Sequence, residues 1–192
     1  ILRADENSKM VLDASADSTD VGEEILFEDA TNDGSIILDK YDSIIQVKYV
    51  QTSALVTTTT QLPRDDTIPQ KTEGAEFMTL SIIPTNSSNT LLIETELNLD
   101  TTTTNYMTVA LFQDDTANAI AAAFIHMSGV QHTKRIHLKF KMTAGTTSAT
   151  TFKVRAGLNA AATVTLNGTN SARLLGGVCT SYMQITEIVV WP

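Results

Sequence analysis

A single cysteine, Cys179, is present among the 192 residues. No disulfide can therefore form within the chain, and the fold must rest on packing. One such thiol is expected to be a small buried apolar residue in a strand. No apolar run approaches the ~18 residues of a membrane span, and no charged-then-apolar leader is visible. The chain opens on Ile1 rather than Met, as expected of a processed chain or a piece of a longer product. Charged residues are scarce, at 18%, against roughly one quarter in typical soluble domains. A basic excess is missing too: 13 Lys and Arg face 22 Asp and Glu, for a net charge of −9. That argues against a nucleic-acid-binding domain, which needs a basic face. Also lacking are a Gly-flanked serine nucleophile, a cysteine with a local histidine, and a phosphate-cradling glycine loop. The sequence reads as a non-enzyme with no cofactor.

The charge that is present is unevenly placed. Residues 1–50 hold twelve acids and four bases, whereas residues 51–192 hold ten acids and nine bases. The acidic half repeats a short unit of three apolar residues and an acid: Met10-Val11-Leu12-Asp13, Ile25-Leu26-Phe27-Glu28 and Ile36-Ile37-Leu38-Asp39. Gly, Asn and Asp separate the copies and favour tight turns. Strands this short bury too little surface to stand alone. Covering both faces of each triplet calls for other copies or other chains, and parallel association about an axis would do so.

Three zones follow: an acidic short-strand repeat stalk over 1–45, a strand and extended connecting arm over 46–76, and a compact β-sandwich knob over 77–192. The arm opens with alternating Ile45, Val47 and Tyr49, then carries Pro63 and Pro69 among polar residues, which excludes helix. In the knob, apolar residues recur with period two at Leu91–Leu99, Met107–Leu111, Ile136–Met142 and Phe152–Ala156, and a last strand is expected from Tyr182 to Val190. Threonine, about one residue in six, suits the exposed face of a sheet. Ser128-Gly129, Ala144-Gly145, Gly157, Asn167-Gly168 and Gly176-Gly177 read as turns at the spacing of a sandwich or barrel. Ala117–His126 is open between strand and short helix.

Candidate sites are few. Asp29–Gly34 resembles the start of a calcium loop, but its twelfth position is Lys40 instead of a bidentate acid, so a polar turn is expected. His126, His132 and His137 lie close in sequence without the spacing that points two rings from one strand. Glu94 and Glu96 share a strand face as a glycosidase pair could, yet solvated positions of an amphipathic strand explain them. Arg135, His137, Lys139 and Lys141 occupy successive polar positions of one strand, and Lys153 and Arg155 share the polar face of the next. If those two strands pair, a basic stripe forms that could meet anionic surface polysaccharide or an acidic partner. The alternative has these bases pairing across the sheet with Glu94 and Glu96.

Several stretches carry a resemblance: Asp65-Asp66-Thr67-Ile68-Pro69-Gln70, Glu73–Glu76, Ile83–Asn86, Val109–Thr116, Met142–Ala156, Val164–Gly168 and Ile185–Ile188. Together they resemble the C-terminal β domains of structural proteins of tailed bacteriophages, especially those of marine and cyanobacterial hosts. The acidic triplets are similar to repeats that precede such domains. The resemblance implies a virion protein assembled in the host cytoplasm, with a jelly-roll-like antiparallel β-sandwich behind the stalk. Of the places on a virion, which the resemblance does not decide, the favoured reading is a homotrimeric tail fibre whose knob contacts the host surface, with itself, other virion proteins and host surface polysaccharide as partners. A capsid (head) decoration protein is the alternative, and a glycan-processing enzyme a third reading.

Overall fold

The computed structural model describes residues 44–129 and 131–189. The repeat stalk before Ile44, the calcium-like loop within it and the closing Trp191-Pro192 lie outside the described residues. Among the described residues there are twelve strands: β1 (Ile44–Thr52), β2 (Val56–Thr58), β3 (Ala75–Ile82), β4 (Thr90–Thr101), β5 (Thr104–Gln113), β6 (Ala121–Ser128), β7 (Lys134–Thr143), β8 (Thr150–Leu158), β9 (Val164–Leu166), β10 (Gly168–Thr169), β11 (Ala172–Arg173) and β12 (Ser181–Ile188). Among the described residues the only helical element is a 3-10 turn at Leu175–Gly177.

Every ladder is antiparallel. One sheet runs β1-β12-β4, with β7 on the other edge of β4 and the short β2 and β9 extending it. The second runs β3-β8-β5-β6. Apart from the β5-β6 hairpin, successive long strands cross between the sheets, which makes the architecture an all-β sandwich of jelly-roll type. The short hairpin β10-β11 stands apart.

Period-two patterning builds the core. Leu91, Ile93, Leu97 and Leu99 of β4 face Met107, Val109 and Leu111 of β5 and Phe152, Val154 and Ala156 of β8, all fully buried. Thr95 sits in the same inward row, its hydroxyl donating to the Tyr182 carbonyl at 2.9 Å. The Ala-rich segment that was open between helix and strand forms β6 from Ala121. It pairs with β5 from Thr104↔Ser128 to Leu111↔Ala121, with Ala121, Ala123 and Ile125 packed on the core.

Two turn expectations and one for the cysteine change. Gly157 is no turn; it lies inside β8 because a chain segment crosses there. A Cβ at Gly157 would stand 2.7 Å from both the Leu62 amide nitrogen and the Thr60 carbonyl oxygen, so only glycine admits the crossing. Asn167-Gly168 is no hairpin turn either: the hairpin closes at Asn170-Ser171, whose φ values of 46° and 62° suit a type I′ turn. Asn167 (φ 57°) is instead a buried junction. Its side-chain amide donates to the carbonyls of Thr52 and Ala54 and accepts from the Ser181 hydroxyl. Cys179 is half-buried between the 3-10 turn and β12, outside any strand.

The segment from Thr59 to Gly74 lies on the outer face of the second sheet. Leu62 is buried against Ala110 and Phe112, and backbone bonds join Leu62 to Leu158, Lys71 to Ala117 and Ala119 to Pro69. Beside it, β1 supplies the outer strand of the first sheet, and β3 begins at Ala75.

Candidate functional site

Four of the five basic residues of β7, Arg135, His137, Lys139 and Lys141, sit on the outer face of the first sheet. The register pairs Arg135 with Asn98, His137 with Glu96, Lys139 with Glu94 and Lys141 with Leu92. Directly opposed residues share a face, so the two glutamates stand beside the bases. Lys139 Nζ is 3.0 Å from Glu94 Oε1, and Arg135 Nη1 is 3.4 Å from Glu96 Oε1. His137 Nε2 lies 4.0 Å from Glu94 Oε1. Lys141 takes part in no ion pair among the described residues.

The expected stripe across two paired strands does not form. β7 pairs with β4, whereas β8 pairs with β3 and β5 in the other sheet. Lys153 and Arg155 therefore face the opposite side of the sandwich. Arg155 is committed there: Nε donates to the Glu73 carbonyl (2.8 Å), Nη2 to the Gly74 carbonyl (2.7 Å), and Nη1 lies 3.6 Å from Glu76 Oε2. It anchors the crossing segment.

The outer face of the first sheet is banded. On the edge strand β1, Val47, Tyr49 and Gln51 point outward; Tyr49 and Tyr182 stack at 5.7 Å between ring centroids. Glu94 and Glu96 form the next band, and the β7 bases the last. Burial, then Glu96 and Glu94, push the Tyr182 phenol up from its ordinary value. The apolar alternation of β1 thus faces solvent: Ile45, Val47 and Tyr49 are all exposed, the last by 52%. Only Val50, pointing the other way, packs on the core. Glu94 and Glu96 lie on this open face, tied to bases.

His126 sits edge-on against the Tyr106 ring, at 5.0 Å, while His137 belongs to the other sheet. No three His, Cys, Asp or Glu side chains converge as metal donors among the described residues.

A second surface was not legible in the sequence. The crossing segment and the outer face of β5-β6 enclose a cleft of about 410 Å³, walled by Arg64, Asp65 and Asp66 on one side and Phe124 on the other, with Thr108 and Ala122 below. An adjoining hollow of about 340 Å³ continues along β6 past Ala119. The Arg64 guanidinium lies 3.8 Å from the Tyr106 centroid and 5.3 Å from that of Phe124. Asp65 accepts from the hydroxyl and amide of Thr67, and these bonds hold its carboxyl below the usual value.

No helix among the described residues is long and apolar enough to cross a membrane. No family profile matches the chain, and no curated protein matches it. Solved structures do. The sugar-binding EclA C-terminal domain matches at 12% identity over 61% of this chain and 76% of its own, with a TM-score of 0.36. An infectious bursal disease virus (Gt strain) structure matches at 8% identity over 88% of this chain and 43% of its own, TM-score 0.38. Tailspike protein 4 of bacteriophage CBA120, as its enzymatically active domain, matches at 15% identity over 63% and 18%, TM-score 0.26. The chain spans less than half of the latter two. At these scores the likeness carries no functional argument.

Proposed function

We propose that this chain is a structural protein of a tailed-phage virion, a homotrimeric fibre whose sandwich projects from the particle and contacts the host surface, and not an enzyme. The observation that carries this reading is the bare edge of the jelly roll. Ile44, Ile45, Val47, Tyr49, Leu55 and Val56 are all exposed along β1 and β2, on one strand edge with no further strand beside it among the described residues. A run of apolar side chains on an open edge is a surface for another chain, and a second copy supplies the same apolar residues. Three copies are preferred to two on the phage-fibre resemblance alone. In such a knob the β7 bases, Lys141 foremost, are the groups that would meet an acidic host glycan.

Two experiments test this. Immunogold electron microscopy of the particle should place the protein on the tail; label over the head would favour a capsid decoration protein. Light scattering of the full chain at micromolar concentration should give a trimer, and Val47→Lys with Tyr49→Lys should shift it toward monomer without loss of β structure. A wild-type monomer would overturn the assembly claim.

A further inference from the structure

We infer that the cleft between the crossing segment and β5-β6 is a binding site for a neutral saccharide. Its floor holds an unfilled valence: Thr108 lines the cleft, and its Oγ1, tucked out of reach of solvent, has no hydrogen-bond partner among the described residues, so a ligand group meets it once the side chain turns about χ1. Leaving a buried hydroxyl unpaired costs about 1–3 kcal/mol, and folding alone gives no reason to keep one here. Valine would fill the same volume in a β-strand.

The walls specify what would satisfy it. Phe124 is 60% exposed, flanks the cleft, meets Tyr106 edge-on at 6.3 Å between centroids, and has the Arg64 guanidinium 5.3 Å from its own centroid. The ring surface that Arg64 leaves exposed suits the C–H face of a sugar ring. Ala122 beneath it leaves room for that ring. Asp65 and Asp66 offer carboxylate acceptors to pairs of ring hydroxyls, and Arg64, held over Tyr106 and Phe124, offers donors to ring or hydroxyl oxygens. Aromatic wall, carboxylates, guanidinium and a lone hydroxyl form the donor and acceptor set that a polyhydroxyl ring fills.

Charge decides the class. Two carboxylates against one guanidinium leave the cleft net negative, so a uronate or sulfated sugar is repelled and a neutral one is not. That separates this site from the β7 face, where bases prevail. The cleft's chemistry does not depend on where the chain is mounted.

The test uses the full chain with 13C-labelled Ala and Thr methyl groups, titrated with short oligomers of glucose, galactose and mannose and with a polyuronate of equal length. At least one neutral oligomer should shift the Thr108 and Ala122 methyls saturably, with little dependence on salt. Phe124→Ala, compatible with folding because that ring is mostly exposed, should weaken binding by about tenfold. Thr108→Val should weaken it by about three- to tenfold while the melting temperature holds or rises. No shift with any neutral oligomer would overturn the assignment. So would polyuronate acting on these methyls at lower concentration, or unchanged affinity in the Phe124 variant. Failure to find the protein on a virion would leave these readouts as they are.

Discussion

Glu187 of β12 is fully buried and accepts four hydrogen bonds: from Gln46 Nε2 (2.6 Å), Asn89 Nδ2 (2.6 Å), and the amide and hydroxyl of Thr85 (both 2.8 Å). It joins β1, β12 and the loop entering β4. Burial pushes its carboxyl up, and the bonds from Gln46, Asn89 and Thr85 more than reverse this, bringing it from 4.5 to about 2. At about 1.36 kcal/mol per unit, that drop sets a ceiling of roughly 3 kcal/mol on what ionised Glu187 contributes. In Glu187→Gln the amide oxygen can keep the Thr85 and Asn89 bonds, while the new NH2 meets the Gln46 donor. Gln46 can turn over only by giving up its bond to the Ile83 carbonyl. The expected loss is therefore about 2 kcal/mol at neutral pH. Because the folded-state pKa is depressed, the contribution is complete above 4.5, falls as pH drops toward 2, and is gone below 2. Urea unfolding of both proteins should show a gap that is constant from pH 7 to 4.5 and closes by pH 2. A gap as large at pH 2 as at pH 7, or none at pH 7, would refute this reasoning.

Gly157→Ala should destabilise the fold by about 1–3 kcal/mol, because the new methyl meets backbone atoms of Thr60 and Leu62; hydrogen exchange at the Leu62 amide should accelerate ahead of the core strands. Asn167→Ala should cost about 2–4 kcal/mol in urea unfolding, since it strands the buried Ser181 hydroxyl and the Thr52 and Ala54 carbonyls and leaves alanine at a φ of 57°. Asn167→Gly should recover only the backbone part.

The strands were legible because alternation is a local signal. Leu91–Leu99, Met107–Leu111, Ile136–Met142 and Phe152–Ala156 each reappear inside one strand, with the expected side turned to the core. Which strand lies beside which was not legible. Period two says which side chains share a face but not which sheet receives the strand, and a jelly roll sends β7 and β8 to different sheets. The basic stripe failed on that point alone: Arg135, His137, Lys139 and Lys141 do share a face, whereas Lys153 and Arg155 belong elsewhere. Gly157 misled for a related reason. Its meaning depends on Leu62, nearly a hundred residues earlier, and no local pattern records that crossing. The cleft was hidden in the same way, since Arg64 meets Tyr106 and Phe124 only once the segment folds back.

The apolar edge and the cleft sit at opposite sides of the sandwich, so the two proposed contacts do not compete for one surface. β1 lies against β3 at one side, and β7 lies against β6 at the other. The open apolar edge thus belongs to the first side, and the cleft beside β6 and the charged band on β7 to the second. Association through Val47 and Tyr49 would turn the β1 side inward and leave Phe124 and Lys141, at the other side, exposed. The crossing segment adds to this asymmetry. It covers Phe112 and Ala110 on the outer face of the second sheet but reaches Phe124 only with the Arg64 guanidinium, so that sheet is sealed at its middle strands and largely open at its last one. A sandwich needing only to fold would cover or replace Phe124. A sandwich that assembles by one edge and contacts a ligand by the other has a reason to keep it bare.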